Sequence, residues 1–240
     1  MNRTASVVTT VAVVVPASDE AETIGLALDA IVVAATHVDV PCVIVVVDDA
    51  STDATVAIAR RSLARHPGVS LVVSVDAGRA SRARAVGASL VASAAGVDDP
   101  ACVWLLSTDA DSVVADDWIA RHLVHARAGH TAVAGTVDLF DDEEGRRIRP
   151  AWIVEYGASI TSERTHSHVH AANLGVRLDA FLDVGGFGDR ERAEDIDLWT
   201  RLRAAGHRPV ADADIVVATS ARPIGRVELG FAGALRRLYA

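Results

Sequence analysis

The first half of the chain alternates continuous apolar runs with amphipathic segments. Residues 11–15 form an apolar run closed by Pro16. Residues 20–36 place Ile24, Leu28 and Ile31 on one helical face. The pattern then predicts a strand over 42–47, a helix over 52–65 capped by Ser51 or Thr52, and a strand over 70–75. A third helix follows over 80–95 and a fourth strand over 102–106. Strands without alternation, separated by helices, predict an α/β protein with a mostly parallel, Rossmann-like sheet covered on both faces. Ligands of such sheets bind outside the carboxyl ends of the strands.

The second half is less regular. Helices are predicted over 116–128, 152–162 and 195–205, the last stopped by Gly206, with strands over 131–140 and 215–219. Residues 225–239 read as a closing helix, and the charge run 141–147 as a polar hairpin or loop. The chain shows no repeat, low-complexity stretch or linker, so one domain over 1–240 is expected.

Composition narrows the class. A chain of 240 residues can bury a sizeable core, and no apolar run approaches the roughly 20 residues of a membrane-spanning helix. The N-terminus leads straight into a strand-like run, without the apolar core and cleavage site of a secretory signal. The expectation is a soluble, cytoplasmic protein, with peripheral membrane attachment left open. The net charge is −9 and the chain has no lysine, only arginines, which argues against general nucleic-acid binding. Cys42 and Cys102 each lie beside an apolar run and read as small buried side chains, not as a disulfide framework or zinc site.

Carboxylates follow three of the first four strands: Asp19 and Glu20, then Asp48, Asp49 and Asp53, then Asp109 and Asp111. Any one of them could be a cap or a solvated turn. Together they converge on one sheet edge, where mutual repulsion calls for a cation or a donor-rich ligand. Hard oxygen donors select Mg²⁺ or Mn²⁺ over zinc. The third strand ends instead in Gly78-Arg79-Ala80-Ser81-Arg82-Ala83-Arg84, where arginines at a helix start suit either a phosphate or plain solvent.

A series of segments in order resembles family 2 glycosyltransferases of the GT-A fold. It runs from Val13–Glu20 and Val45–Thr55 through Gly78-Arg79 and Thr108-Asp109-Ala110-Asp111 to Ala171–Arg177, Gly185-Gly186-Phe187 and Glu194–Trp199. The resemblance implies a single GT-A domain with a nucleotide-sugar-binding half at about 10–111. An appended acceptor-binding and catalytic-base half would occupy about 112–240. It implies that Pro16, Ala17 and Glu20 line the nucleoside pocket and that Asp49 accepts from the base. Thr108 belongs to the nucleotide site, Asp109 contacts the ribose or the metal shell, and Asp111 holds a divalent cation bridging the two phosphates. Arg79 helps neutralise the diphosphate. Asp195, paired with Glu194, is the general base of an inverting transfer, although both carboxylates also suit a helix N-terminus. Asn173, Gly185, Gly186 and Trp199 are assigned to the sugar substrate.

The sequence departs from the family in places. Ser18-Asp19 replaces an asparagine before the glutamate, and Ala85-Val86 stands where many members carry an asparagine. No Gln-x-x-Arg-Trp motif appears, which favours transfer of a single hexose, from UDP first and GDP second, to a small or lipid-linked acceptor. The segment after the base helix lacks the histidine that often completes the metal shell, and Arg222 and Arg226 are expected to grip the diphosphate instead. The alternating His166, His168 and His170 read as acceptor-side loop residues, with a metal role on one strand face as the other reading. Two rival functions stand beside this one. One is a non-catalytic nucleotide-sugar-binding subunit of the same fold. The other is a haloacid-dehalogenase-like phosphatase using Asp109 as nucleophile and Asp111 as acid and base.

Overall fold

The computed structural model describes residues 7–93, 99–161, 163–188 and 193–222. The expected closing helix and Arg226 lie outside them. Within the described residues eight strands form one sheet: β1 (Thr10–Ala17), β2 (Cys42–Asp49), β3 (Val69–Val75), β4 (Val103–Ser107), β5 (Ser112–Val114), β6 (Ala132–Leu139), β7 (Leu174–Arg177) and β8 (Pro209–Thr219). Their order is β3-β2-β1-β4-β7-β6-β8-β5. The β1–β2, β2–β3, β1–β4 and β6–β8 pairs are parallel, while β7 runs antiparallel to β4 and β6, and β5 antiparallel to β8. Strands β1, β2 and β4, at the centre of the parallel half, are the continuous apolar runs of the sequence.

The α-helices are α1 (Ile24–Thr36), α2 (Thr55–Leu63), α3 (Ala80–Ser93), α4 (Trp118–Arg127), α5 (Glu143–Gly157), α6 (Leu178–Asp183) and α7 (Glu194–Ala204). Alternate residues of β1 separate two cores. Val11, Val13 and Val15 pack with Leu28 and Ile31 of α1 and with Trp118 and Leu123 of α4. On the other face, Ala12 and Val14 pack with Ala83, Ala88 and Val91 of α3, Phe181 of α6, and Leu198 and Leu202 of α7. Gly87 lets α3 approach the sheet closely: a Cβ there would lie 2.4 Å from a Val14 methyl. A third, smaller core under α5 joins Val137 and Leu139 to Ile148, Trp152 and Tyr156.

The structure departs from the sequence pattern at several places. Helix α1 begins at Ile24, not residue 20, because the backbone N–H groups of Glu20 and Ala21 are bound by Thr55 Oγ1 and Asp53 Oδ2 in the neighbouring loop. Neither Ser51 nor Thr52 caps α2; Asp53 accepts from Thr55 N–H, while Ser51 Oγ accepts from Asp19 N–H. The charge run is no hairpin or loop but the start of α5, which therefore begins well before residue 152 and ends at Gly157. Asp142 caps it by accepting from Gly145 N–H at 2.7 Å, and Glu143 and Glu144 favour the positive helix terminus. Strands β5 and β7 and helix α6 are short elements that the hydrophobic pattern does not predict.

Asn173 ties the antiparallel half together. Its amide donates to Thr136 O (2.7 Å) and Ile215 O (2.9 Å), and its oxygen accepts from Trp118 Nε1 (2.9 Å). Asn173→Ala should cost about 3 kcal/mol, because three buried groups lose their partner. Urea denaturation measures this; a loss below about 1 kcal/mol contradicts it.

Candidate active site

The carboxyl ends of β1, β2 and β4 lie side by side, and the loops after β1 and β2 are tied to one another. Ser18 Oγ donates to Asp49 O, and Asp19 Oδ1 accepts from Thr52 N–H at 2.7 Å. Asp49 Oδ1 accepts from the N–H groups of Ala77 (2.7 Å) and Gly78 (3.0 Å), which fixes the turn from β3 into α3. Gly78 takes φ +69°, a conformation glycine adopts without strain.

Two arginines organise the carboxylates beyond this rim. Arg222 makes a two-pronged contact with Glu20 (2.6 and 3.0 Å) and reaches Asp111 Oδ2 at 2.8 Å. Glu20, in the loop after β1, is thereby joined to the turn after β4. Arg84 is buried and joins Asp109 to Glu194. Burial, Asp109 and Glu20 push the Asp111 carboxyl up to about 7, against the pull of Arg222. Burial is the largest cause, and the neighbouring carboxylates add to it.

Asp195 accepts from Ala171 N–H (3.0 Å) and from Ile196 N–H (2.8 Å). Burial raises its pKa, opposed by those two hydrogen bonds. Burial also raises Glu194, opposed by Arg84. The turn that supplies Ala171 is braced from α5, since His170 Nε2 and Tyr156 Oη lie 3.0 Å apart. His168 stacks on Tyr156 at 3.8 Å between ring centroids. Burial lowers the pKa of His166, His168 and His170, the last to about 4, so His170 is neutral at pH 7. They lie in a loop, not on a strand.

Some assigned residues do other work. Asn173 is fully buried and its amide is spent on the protein, so it is not a direct sugar contact. Gly185 and Gly186 form the left-handed turn that ends α6, and Arg201 Nη2 donates to Gly186 O at 2.6 Å. Trp199 packs against the core that α3, α6 and α7 share. Thr108 is fully buried, and Pro16 and Ala17 are buried at the end of β1. Arg79 is half-buried just before α3. Arg84 is the residue that motif reading leaves among the surface arginines. Its place on the buried stripe of Ser81, Ala88 and Val91 is the signal that could have found it.

The donor set suits a hard divalent cation. Asp109 and Asp111 offer oxygens, and among the described residues no three His, Cys, Asp or Glu side chains converge on one cation position. Mg²⁺ and Mn²⁺ are commonly held by one or two carboxylates, with phosphates and water completing the shell.

The fold is that of GT-A glycosyltransferases. S. aureus TarS 1–349 in complex with UDP-GlcNAc is 15% identical, with a TM-score of 0.64 over 92% of this chain and 61% of that one. A mannosyltransferase from Pyrobaculum calidifontis, in complex with GDP-Man and Mn²⁺, is 24% identical, with a TM-score of 0.66 over 93% and 62%. GalNAc-T7 with UDP, GalNAc and Mn²⁺ is 15% identical, with a TM-score of 0.63 over 89% and 44%. The chain thus spans less than two thirds of each of these structures. A comparison with curated proteins gives no match. The family model described as Glycosyl transferase family 2 matches residues 12–184. The chain belongs to that family.

Proposed function

We propose that the protein transfers one hexose from a nucleoside diphosphate sugar to an acceptor hydroxyl, with inversion. UDP is the first candidate nucleotide and GDP the second. The carrying observation is the gathering of Asp109, Asp111 and Glu194 around two arginines at one sheet edge, with Asp195 next in the chain. Residues 10–111 serve the donor, and residues 112–240 the acceptor and the base. The acceptor is a small molecule or a lipid-linked sugar, met in the cytoplasm or at a membrane surface. Among the described residues no helix is long and apolar enough to cross a membrane.

Asp111, with Asp109, would hold a divalent cation, which would supply charge neutralisation for the leaving diphosphate. Asp195 takes the proton from the acceptor hydroxyl as its oxygen bonds to the anomeric carbon. The bond from that carbon to the diphosphate oxygen breaks, and its electron pair leaves with the nucleotide. A phosphatase reading is disfavoured because the family 2 glycosyltransferase model spans the Asp109–Asp111 turn within residues 12–184.

The test is incubation with Mn²⁺ and a panel of UDP-, GDP- and dTDP-sugars, following nucleoside diphosphate release. Release that vanishes in Asp111→Ala supports transfer. Binding without release supports the non-catalytic subunit, and activity only on phosphate monoesters overturns the reading. Arg222→Ala should weaken UDP binding about tenfold, the value of a lost charge-assisted hydrogen bond. Unchanged affinity by calorimetry removes Arg222 from the diphosphate site.

A further inference from the structure

Arg84 has no step in the transfer described above, yet it is a deeply buried charge beside the site. Its side chain is 5% exposed. Nη1 donates to Glu194 Oε1 at 2.9 Å and Nη2 to Asp109 Oδ1. Nε has no partner among the described residues. Burying a guanidinium costs several kcal/mol, and apolar side chains often fill such a place at no loss of stability. Here the fork spans two carboxylates that lie far apart in the chain: Arg84 precedes Asp109 by 25 residues and Glu194 by 110.

The first turn of α7 carries three carboxylates, Glu194, Asp195 and Asp197. Arg84 takes Glu194, and Arg201 takes Asp197 at 2.8 Å. Among the described residues, Asp195 accepts only from backbone N–H groups. The residue before this turn, Ala193, has φ +56°, a left-handed conformation that a non-glycine residue adopts at a cost. The start of α7 is thus held in part by contacts outside the helix, from Arg84 to Glu194 and from Ala171 to Asp195.

We infer that Arg84 is a positioning residue: it fixes the Asp109–Asp111 turn and the first turn of α7 at one spacing and, by occupying Glu194, leaves Asp195 as the carboxylate open to the acceptor. The catalytic part of this inference rests on the proposed transfer; the spacing does not.

The test uses the full chain and Arg84→Lys, which keeps the charge but replaces the two-pronged fork with one ammonium. In the ligand-free protein, amide hydrogen exchange at residues 197–199 should quicken about tenfold, with a smaller change in global unfolding. Unchanged exchange overturns the inference, whether or not the chain turns over a donor. With a nucleotide sugar and Mn²⁺, Arg84→Lys should lower kcat about 100-fold, the scale of a 1 Å misplacement, and change KM less than about threefold. Normal kcat, or a loss confined to KM, overturns the catalytic part. A wild-type protein without turnover counts against the proposed transfer alone, and the exchange measurement then decides the positioning role.

Discussion

Asp195→Asn should lower transfer about 1,000-fold, within the span typical of a lost general base, while nucleotide binding stays near wild type. The substitution is nearly isosteric. The asparagine oxygen can still accept from Ala171 N–H, which keeps the tie to the neighbouring turn, while the bond from Ile196 N–H to the other oxygen is lost. What is lost is the ability to take the acceptor proton. Steady-state kinetics with calorimetry of UDP binding separates the two. Equal losses in binding and turnover would show that Asp195 is structural. The pH dependence carries a second signature. A general base works only when ionised, and burial raises the Asp195 pKa above that of an ordinary aspartate. Turnover in the wild type should therefore fall, as pH drops, at a higher pH than an exposed aspartate would give.

Asp111→Asn should remove Mn²⁺-dependent donor binding and lower turnover by about 1,000-fold or more, on the scale of several kcal/mol that a bound cation supplies to a developing charge. Asp109→Asn should cost less metal affinity, because one Asp109 oxygen is already committed to Arg84. Stability is expected to move the other way. Asp111 is buried and crowded by Asp109 and Glu20, so a neutral side chain removes a desolvation cost and repulsion that together outweigh the lost Arg222 contact. An Asp111→Asn protein that melts no lower than wild type, yet binds no Mn²⁺ with UDP, matches this account. A protein that retains Mn²⁺-dependent UDP binding contradicts it.

The parallel half of the fold is legible because both its faces are buried. Residues 11–15 and 43–47 have no polar position to confuse a strand with a turn, and carboxylates begin where the strands end. The cluster around Asp109 and Asp111 follows from that topology. The first half of α5 is not legible, because a run of polar residues is as good a loop as a solvated helical turn, and Asp142 acts as a cap only once Gly145 is in place. Asn173 shows the limit of motif matching. A motif marks a residue but not which way its side chain faces, and this one faces inward to Thr136 and Ile215. Arg84 is hidden for a related reason: it stands two residues from the exposed Arg82, and only its helical phase separates the two.

The loops after β1 and β2 hold one another through side chains: Ser18 on Asp49, Asp19 on Thr52, Asp53 on Ala21. A rim laced in this way has few residues that can change alone. If the rim takes the nucleotide as proposed, changing which nucleotide it accepts calls for paired replacements across the two loops, made together. The proposed acceptor side, at α5 and the histidine loop, is not laced into the rim by those contacts. New acceptors are the easier target for redesign.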